Sequence, residues 1–171
     1  HLHGGIDSFS RALWKAEPQL SEQSITLKHV SPAGTDGYPG EVTSTLTYSL
    51  TDDNELKMNY KAETTEDTII NVTQHHYWNL GGHDHSVDSQ SIHVNATHFL
   101  EKNMDNIPTG NFTDLTNHDF DFRAPKNCPF PIDNSFVVNS KTEIVGQLIS
   151  LKNKLRMNVY TDQPSVHIYV G

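Results

Sequence analysis

The stretch VTSTLTYSL at 42–50, followed by TDDN at 51–54 and LKMNYKAE at 56–63, decides the fold class. Val42, Ser44, Leu46, Tyr48 and Leu50 put a mostly apolar set on one side. Thr43, Thr45, Thr47 and Ser49 put hydroxyls on the other. Successive side chains of an extended chain point to opposite faces, so a period of two marks a strand with one buried face. Asp and Asn side chains bond back to their own backbone, so Thr51-Asp52-Asp53-Asn54 predicts a turn. Leu56, Met58, Tyr60 and Ala62 then alternate with Lys57, Asn59, Lys61 and Glu63. Together these segments predict an antiparallel hairpin.

Working outward, shorter alternations occur at Ile25-Leu27, Ile92-Val94-Ala96, Leu155-Met157-Val159 and Val166-Ile168-Val170. Thr161-Asp162-Gln163-Pro164 is a turn signal between the last two. No segment has the apolar spacing of an amphipathic helix of ordinary length. Residues 144–151 come nearest, and they read equally well as a strand. Turn signals recur about every ten residues, which predicts an antiparallel sandwich or barrel. Gly34, Gly37, Pro39 and Gly40 form a tight loop before the hairpin. Residues 105–110 and 117–131 are loop-rich, and loops on a rigid β scaffold are where binding groups usually sit.

The 171 residues suit one domain or a large part of one. A net charge of -9 with no Lys/Arg cluster argues against nucleic acid or an anionic membrane surface as partner. A neutral polyol fits better. No apolar run is long enough to span a membrane. Cys128 is the single cysteine, so no internal disulfide forms, and a reducing, cytoplasmic setting is the simplest expectation. Three sequons, at Asn71, Asn95 and Asn111, keep a secreted alternative open.

Eleven histidines are present, with pairs at His1 and His3, His75 and His76, and His83 and His85. Imidazole ligates zinc, but there is no HExxH and the cysteine stands alone, so neither a metal nor a cofactor is expected. Proton transfer is the sharper reading. Histidine titrates near neutrality, so it can protonate one atom while a carboxylate takes a proton from another.

Several motifs, in order along the chain, carry a family resemblance. Leu2-His3-Gly4-Gly5, the segment Phe9 to Trp14, and the loop Ser31-Pro32 to Tyr38-Pro39-Gly40 resemble the LHGG signature, the segment after it and the SPDGxxGYPG loop of aldose 1-epimerases. Residues 71–80, NVTQHHYWNL, resemble the family's NLTNHSYFNL. Ile107-Pro108-Thr109-Gly110 and Asp119 to Arg123 are similar to IPTG and FDFR. Ile132-Asp133-Asn134-Ser135-Phe136 is similar to GFDHNF, and residues 161–171 resemble TTQPGVQFYTG.

The resemblance implies a galactose mutarotase-like β-supersandwich, with residues 1–171 as a partial domain truncated at both ends. Exposed strand edges would then make the isolated piece prone to aggregate. It implies interconversion of the α and β anomers of a free aldohexose such as galactose or glucose. His75 falls on the general acid toward the ring oxygen. His3 and Asp133 fall on sugar-binding positions, and Tyr77 could wall the site; one of Tyr77 and Trp78 is expected in the core. His76 falls where the family carries a small polar residue. The family's general base is a glutamate C-terminal to the segment that 161–171 resembles, so neither Glu101 nor Glu143 takes that role. An NRI arginine that contacts the sugar lies upstream of LHGG. Two alternatives stay open: a non-catalytic carbohydrate-binding domain on the same fold, and an epimerase of phosphorylated hexoses, which would want a pair of arginines among Arg11, Arg123 and Arg156. Oligomeric state is not legible.

Overall fold

A computed structural model describes residues 3–128, 131–138 and 143–171. His1 and Leu2, the first residues of the His1/His3 pair and the LHGG stretch, lie outside them. The chain divides into two compact units, His1–His75 and His76–Gly171.

The first unit is one four-stranded sheet in the order β1-β2-β3-β4. Its strands are β1 (Lys15–Gln19), β2 (Ser24–Ser31), β3 (Val42–Leu50) and β4 (Leu56–Thr64). The predicted hairpin is β3–β4, in continuous register from Val42↔Thr64 to Leu50↔Leu56. Val42, Ser44 and Leu46 are buried, as the alternation required. On the other face Thr26 and Thr47 share a hydroxyl bond of 3.0 Å, and Glu17 bridges Lys15 and Lys28. Thr26 is buried while the Glu17 ion pairs are partly exposed, and such contacts stabilise a sheet modestly.

The second unit holds two four-stranded antiparallel sheets. One pairs β5 (Ser91–Val94), β8 (Lys126–Asn127), β10 (Gly146–Ser150) and β11 (Leu155–Val159). The other pairs β6 (Ala96–Lys102), β7 (Pro108–Asp114), β9 (Ile132–Val138) and β12 (Ser165–Val170). One buried cluster draws on both: Ile92 and Val94 from β5, Ala96 from β6, and Ile132 and Phe136 from β9. Leu115, Phe122 and Cys128 complete it from the loops. This is the expected all-β sandwich.

One detail differs from the sequence expectation, and two others settle what it left open. The alternation Ile92-Val94-Ala96 is not one strand. Asn95 breaks it, and the chain passes from one sheet to the other while every second side chain stays buried. The strands joined through Thr161–Pro164 pair with others: β11 pairs with β10, whereas β12 pairs with β9. Residues 144–151, ambiguous by pattern, contain a strand at Gly146–Ser150.

Candidate active site

In the first unit two glycine-rich loops are tied together by one carboxylate. Asp36 Oδ1 accepts hydrogen bonds from the backbone N–H of Ile6 at 2.8 Å and of Asp7 at 3.3 Å. Gly5 permits the approach: a Cβ on it would lie 1.8 Å from Asp36 Cγ. Two loops about thirty residues apart in sequence are thereby fixed to each other, and His3 stands at the start of the first, at φ 63°. The segment after it is anchored on β2 by an aromatic cluster. Trp14 Nε1 donates to the carbonyl of Phe9, and both rings pack against His29.

His75 meets His3 in this unit. Their ring centroids are 5.2 Å apart and the rings are nearly perpendicular. Both residues are exposed. The neighbouring Gln74 is held by a hydrogen bond from its Nε2 to the Tyr48 hydroxyl on β3. Residues 71–79 form no ladder. His75, Tyr77 and Trp78 are therefore not strand residues, and strict alternation does not commit their side chains to a face. That is why Tyr77 and Trp78 are both exposed, at 74% and 45%, with neither in the core.

In the second unit Asp133 stands on β9 in a row of polar side chains. Lys102 Nζ of β6 donates to Asp133 Oδ2 and to the Asp133 carbonyl, each at 2.7 Å. His167 Nε2 of β12 lies 2.9 Å from Asp133 Oδ1, and its Nδ1 lies 2.8 Å from Ser135 Oγ. Lys102, the larger influence, and His167 hold the Asp133 carboxyl below the usual carboxylate range. Tyr169, register partner of Asp133, meets Tyr77 edge to face at 6.3 Å. Behind Tyr77 the chain is secured by buried Gln90, whose Oε1 accepts from Leu80 N–H and whose Nε2 donates to Asn79 Oδ1. Thus the structure brings His75 to His3 in one unit, and Tyr77 to the strand partner of Asp133 in the other.

Sequence reasoning missed Asp36, Lys102 and His167. Asp36 and Lys102 act on residues about thirty positions away, beyond any local pattern. Among the described residues no group of three or more His, Cys, Asp or Glu side chains could hold a metal ion. No helix among them is long and apolar enough to cross a membrane.

Arg123 is committed to Asp121. Its Nε donates to Oδ1 at 2.8 Å and its Nη2 to Oδ2 at 2.6 Å. This two-pronged contact, with the backbone N–H of Arg123 beside it, holds the Asp121 carboxyl at about 2. A depressed folded value means that the pair contributes stability above the unfolded value, roughly 3.9. The contribution is lost as pH falls through the folded value. Carbon-detected NMR titration should find the Asp121 midpoint near 2, and Arg123→Gln should return it toward the ordinary range. A wild-type midpoint already near the ordinary value would refute the pairing.

The comparisons with known proteins agree on one family. The family model described as "Aldose 1-epimerase" matches residues 1–171. The chain is 32% identical over 181 residues to the galactose mutarotase of Sus scrofa, covering 99% of this chain and 52% of that one. It is 27% identical over 185 residues to the aldose 1-epimerase of Escherichia coli (strain K12), covering 99% and 53%. A solved GalM/aldose epimerase homologue from C. elegans superposes with a TM-score of 0.90 at 27% identity, over 99% of this chain and 55% of that chain. A galactose 1-epimerase structure from Lactobacillus acidophilus NCFM gives a TM-score of 0.88 at 26% identity, over 99% and 53%. The chain thus spans about half the length of the curated relatives it matches.

Proposed function

Because this chain belongs to the aldose 1-epimerase family, we propose that it carries the acid and sugar-binding groups of a site that interconverts the α and β anomers of free aldohexoses such as galactose and glucose. Names of relatives, galactose mutarotase among them, support the substrate class. The observation that carries the residue assignment is the His3–His75 pair, two exposed imidazoles 5.2 Å apart beside a loop already fixed by Asp36.

His75 protonates the pyranose ring oxygen as a base takes the proton of the anomeric hydroxyl. The C1–O5 bond breaks to give the open-chain aldehyde. Rotation about C1–C2 presents the other carbonyl face, and the O5 hydroxyl closes on it as His75 takes its proton back and the base returns its proton to the anomeric oxygen. His3 and Asp133 hold sugar hydroxyls, and Tyr77 offers its ring to a C–H face of the sugar. The base is a glutamate that the family resemblance assigns to none of residues 1–171, and the chain spans about half the length of the relatives it matches. The chemistry needs proton transfer alone, with no metal or redox group in any step. Arg123, closed on Asp121, supports an unphosphorylated substrate, because its guanidinium fork is already engaged. The single buried Cys128 fits a reducing compartment.

Polarimetry of freshly dissolved α-D-galactose and α-D-glucose tests the proposal in the full chain. The decay of optical rotation should accelerate in proportion to protein concentration. A chain that binds galactose yet leaves the decay unchanged is a carbohydrate-binding domain instead. Acceleration confined to hexose phosphates would reassign the substrate.

A further inference from the structure

We infer that Lys102 and His167 form a clamp that fixes the direction of the Asp133 carboxylate, making both of them positioning residues of the sugar site. The inference rests on the reading of Asp133 as an acceptor of sugar hydroxyl bonds. An aspartate on the outward side of a strand ordinarily turns about two side-chain bonds. Here both motions are stopped from flanking strands. Lys102 bridges Oδ2 and the main-chain carbonyl of the same residue, at 2.7 Å each, which ties the side chain to its own backbone. His167 takes the other oxygen at 2.9 Å. The imidazole is itself oriented, because Ser135 engages its second nitrogen at 2.8 Å.

The arrangement leaves the carboxylate able to bind. An ionised carboxylate has about four acceptor positions on its two oxygens. Lys102 occupies one on Oδ2 and His167 one on Oδ1. One position on each oxygen remains, enough to accept from two hydroxyls of one sugar ring. The ammonium also keeps the carboxyl ionised, the form that only accepts. Ordering the acceptor before the ligand arrives lowers the entropy lost on binding. The clamp should therefore appear in sugar affinity and not in the chemical step.

The test compares Lys102→Met, His167→Phe, His167→Gln and Asp133→Asn in the full chain, by mutarotation kinetics and by galactose titration. Lys102→Met and His167→Phe should each raise KM, and the galactose Kd with it, about tenfold, with kcat within about twofold. His167→Gln keeps an N–H donor and an acceptor on a planar group and should recover most of the lost affinity. Adding Lys102→Met to Asp133→Asn should cost nothing further, since the two act as a unit. Unchanged KM and Kd in both clamp variants, with Asp133→Asn still weakening binding, overturns the clamp and leaves the Asp133 reading intact. A lower KM for Lys102→Met also overturns it, because the lysine would then compete with the sugar. An Asp133→Asn variant that binds as wild type removes the reading of Asp133 and the clamp with it. All three positions lie on one sheet face outside the buried cluster. Unaltered thermal unfolding of each variant should confirm that the fold is not what changed.

Discussion

Replacing His75 by asparagine in the full chain is expected to slow catalysed mutarotation roughly 100- to 10,000-fold, the usual contribution of a positioned general acid. The substituted side chain keeps a hydrogen-bond donor but has no proton it can release near neutrality. Ring opening would then depend on water to protonate the ring oxygen. His3 and Asp133 remain in place, so KM should change far less than kcat. His3→Ala should show the opposite split, raising KM more than it lowers kcat. Polarimetric initial rates over a range of galactose concentrations separate the two. A loss below about tenfold for His75→Asn would move the acid to another residue.

Phe136→Ala should be the most destabilising change in the second unit, at roughly 3–5 kcal/mol. Phe136 is 0% exposed on β9. Its ring packs against Phe122 at 5.8 Å and Phe99 at 6.3 Å between centroids. Removing it deletes the apolar contacts and leaves a void among close-packed neighbours that can only partly collapse. Leu151→Ala, at a position 78% exposed, serves as the control and should shift stability by no more than about 0.5 kcal/mol. Urea unfolding followed by Trp fluorescence measures both. A Phe136→Ala penalty under about 1 kcal/mol would mean that the two sheets do not share the core described above.

The hairpin at Val42–Leu50 and Leu56–Thr64 was legible because its signal is local. Val42–Leu50 alternates in burial as its pattern requires, Leu56–Thr64 is exposed throughout, and the turn residues between them fix the register. The same logic left the partners elsewhere unassigned. Ile92 to Ala96 keeps its period of two across Asn95, yet the polypeptide changes sheet there, and the alternation of burial records the core without recording which ladder a strand joins. Thr161–Pro164 turns the chain, but the strands it connects are neighbours of others. Pairing between distant strands is a long-range property that no window of ten residues contains.

For the candidate site, motif order singled out residues but not what surrounds them. His75, His3 and Asp133 stood out through motif order. Their surroundings came only from coordinates: Asp36 reaches back to the amides of Ile6 and Asp7, Gln74 grips Tyr48, and Lys102 reaches Asp133. Such side chains look like ordinary surface polar residues in a sequence. The expectation that one of Tyr77 and Trp78 lies in the core failed for a related reason. Their segment joins no ladder and is held by side-chain bonds through Gln74 and Asn79.

Position 5 carries a consequence out of proportion to its size. The gap there is narrower than a methyl group, because the Asp36 side chain already fills it. Variation at this point is therefore all or nothing: the smallest added carbon evicts the carboxylate, and the amides of Ile6 and Asp7 lose their acceptor together. A hydrogen atom, by being no larger, keeps the two loops joined two residues from His3.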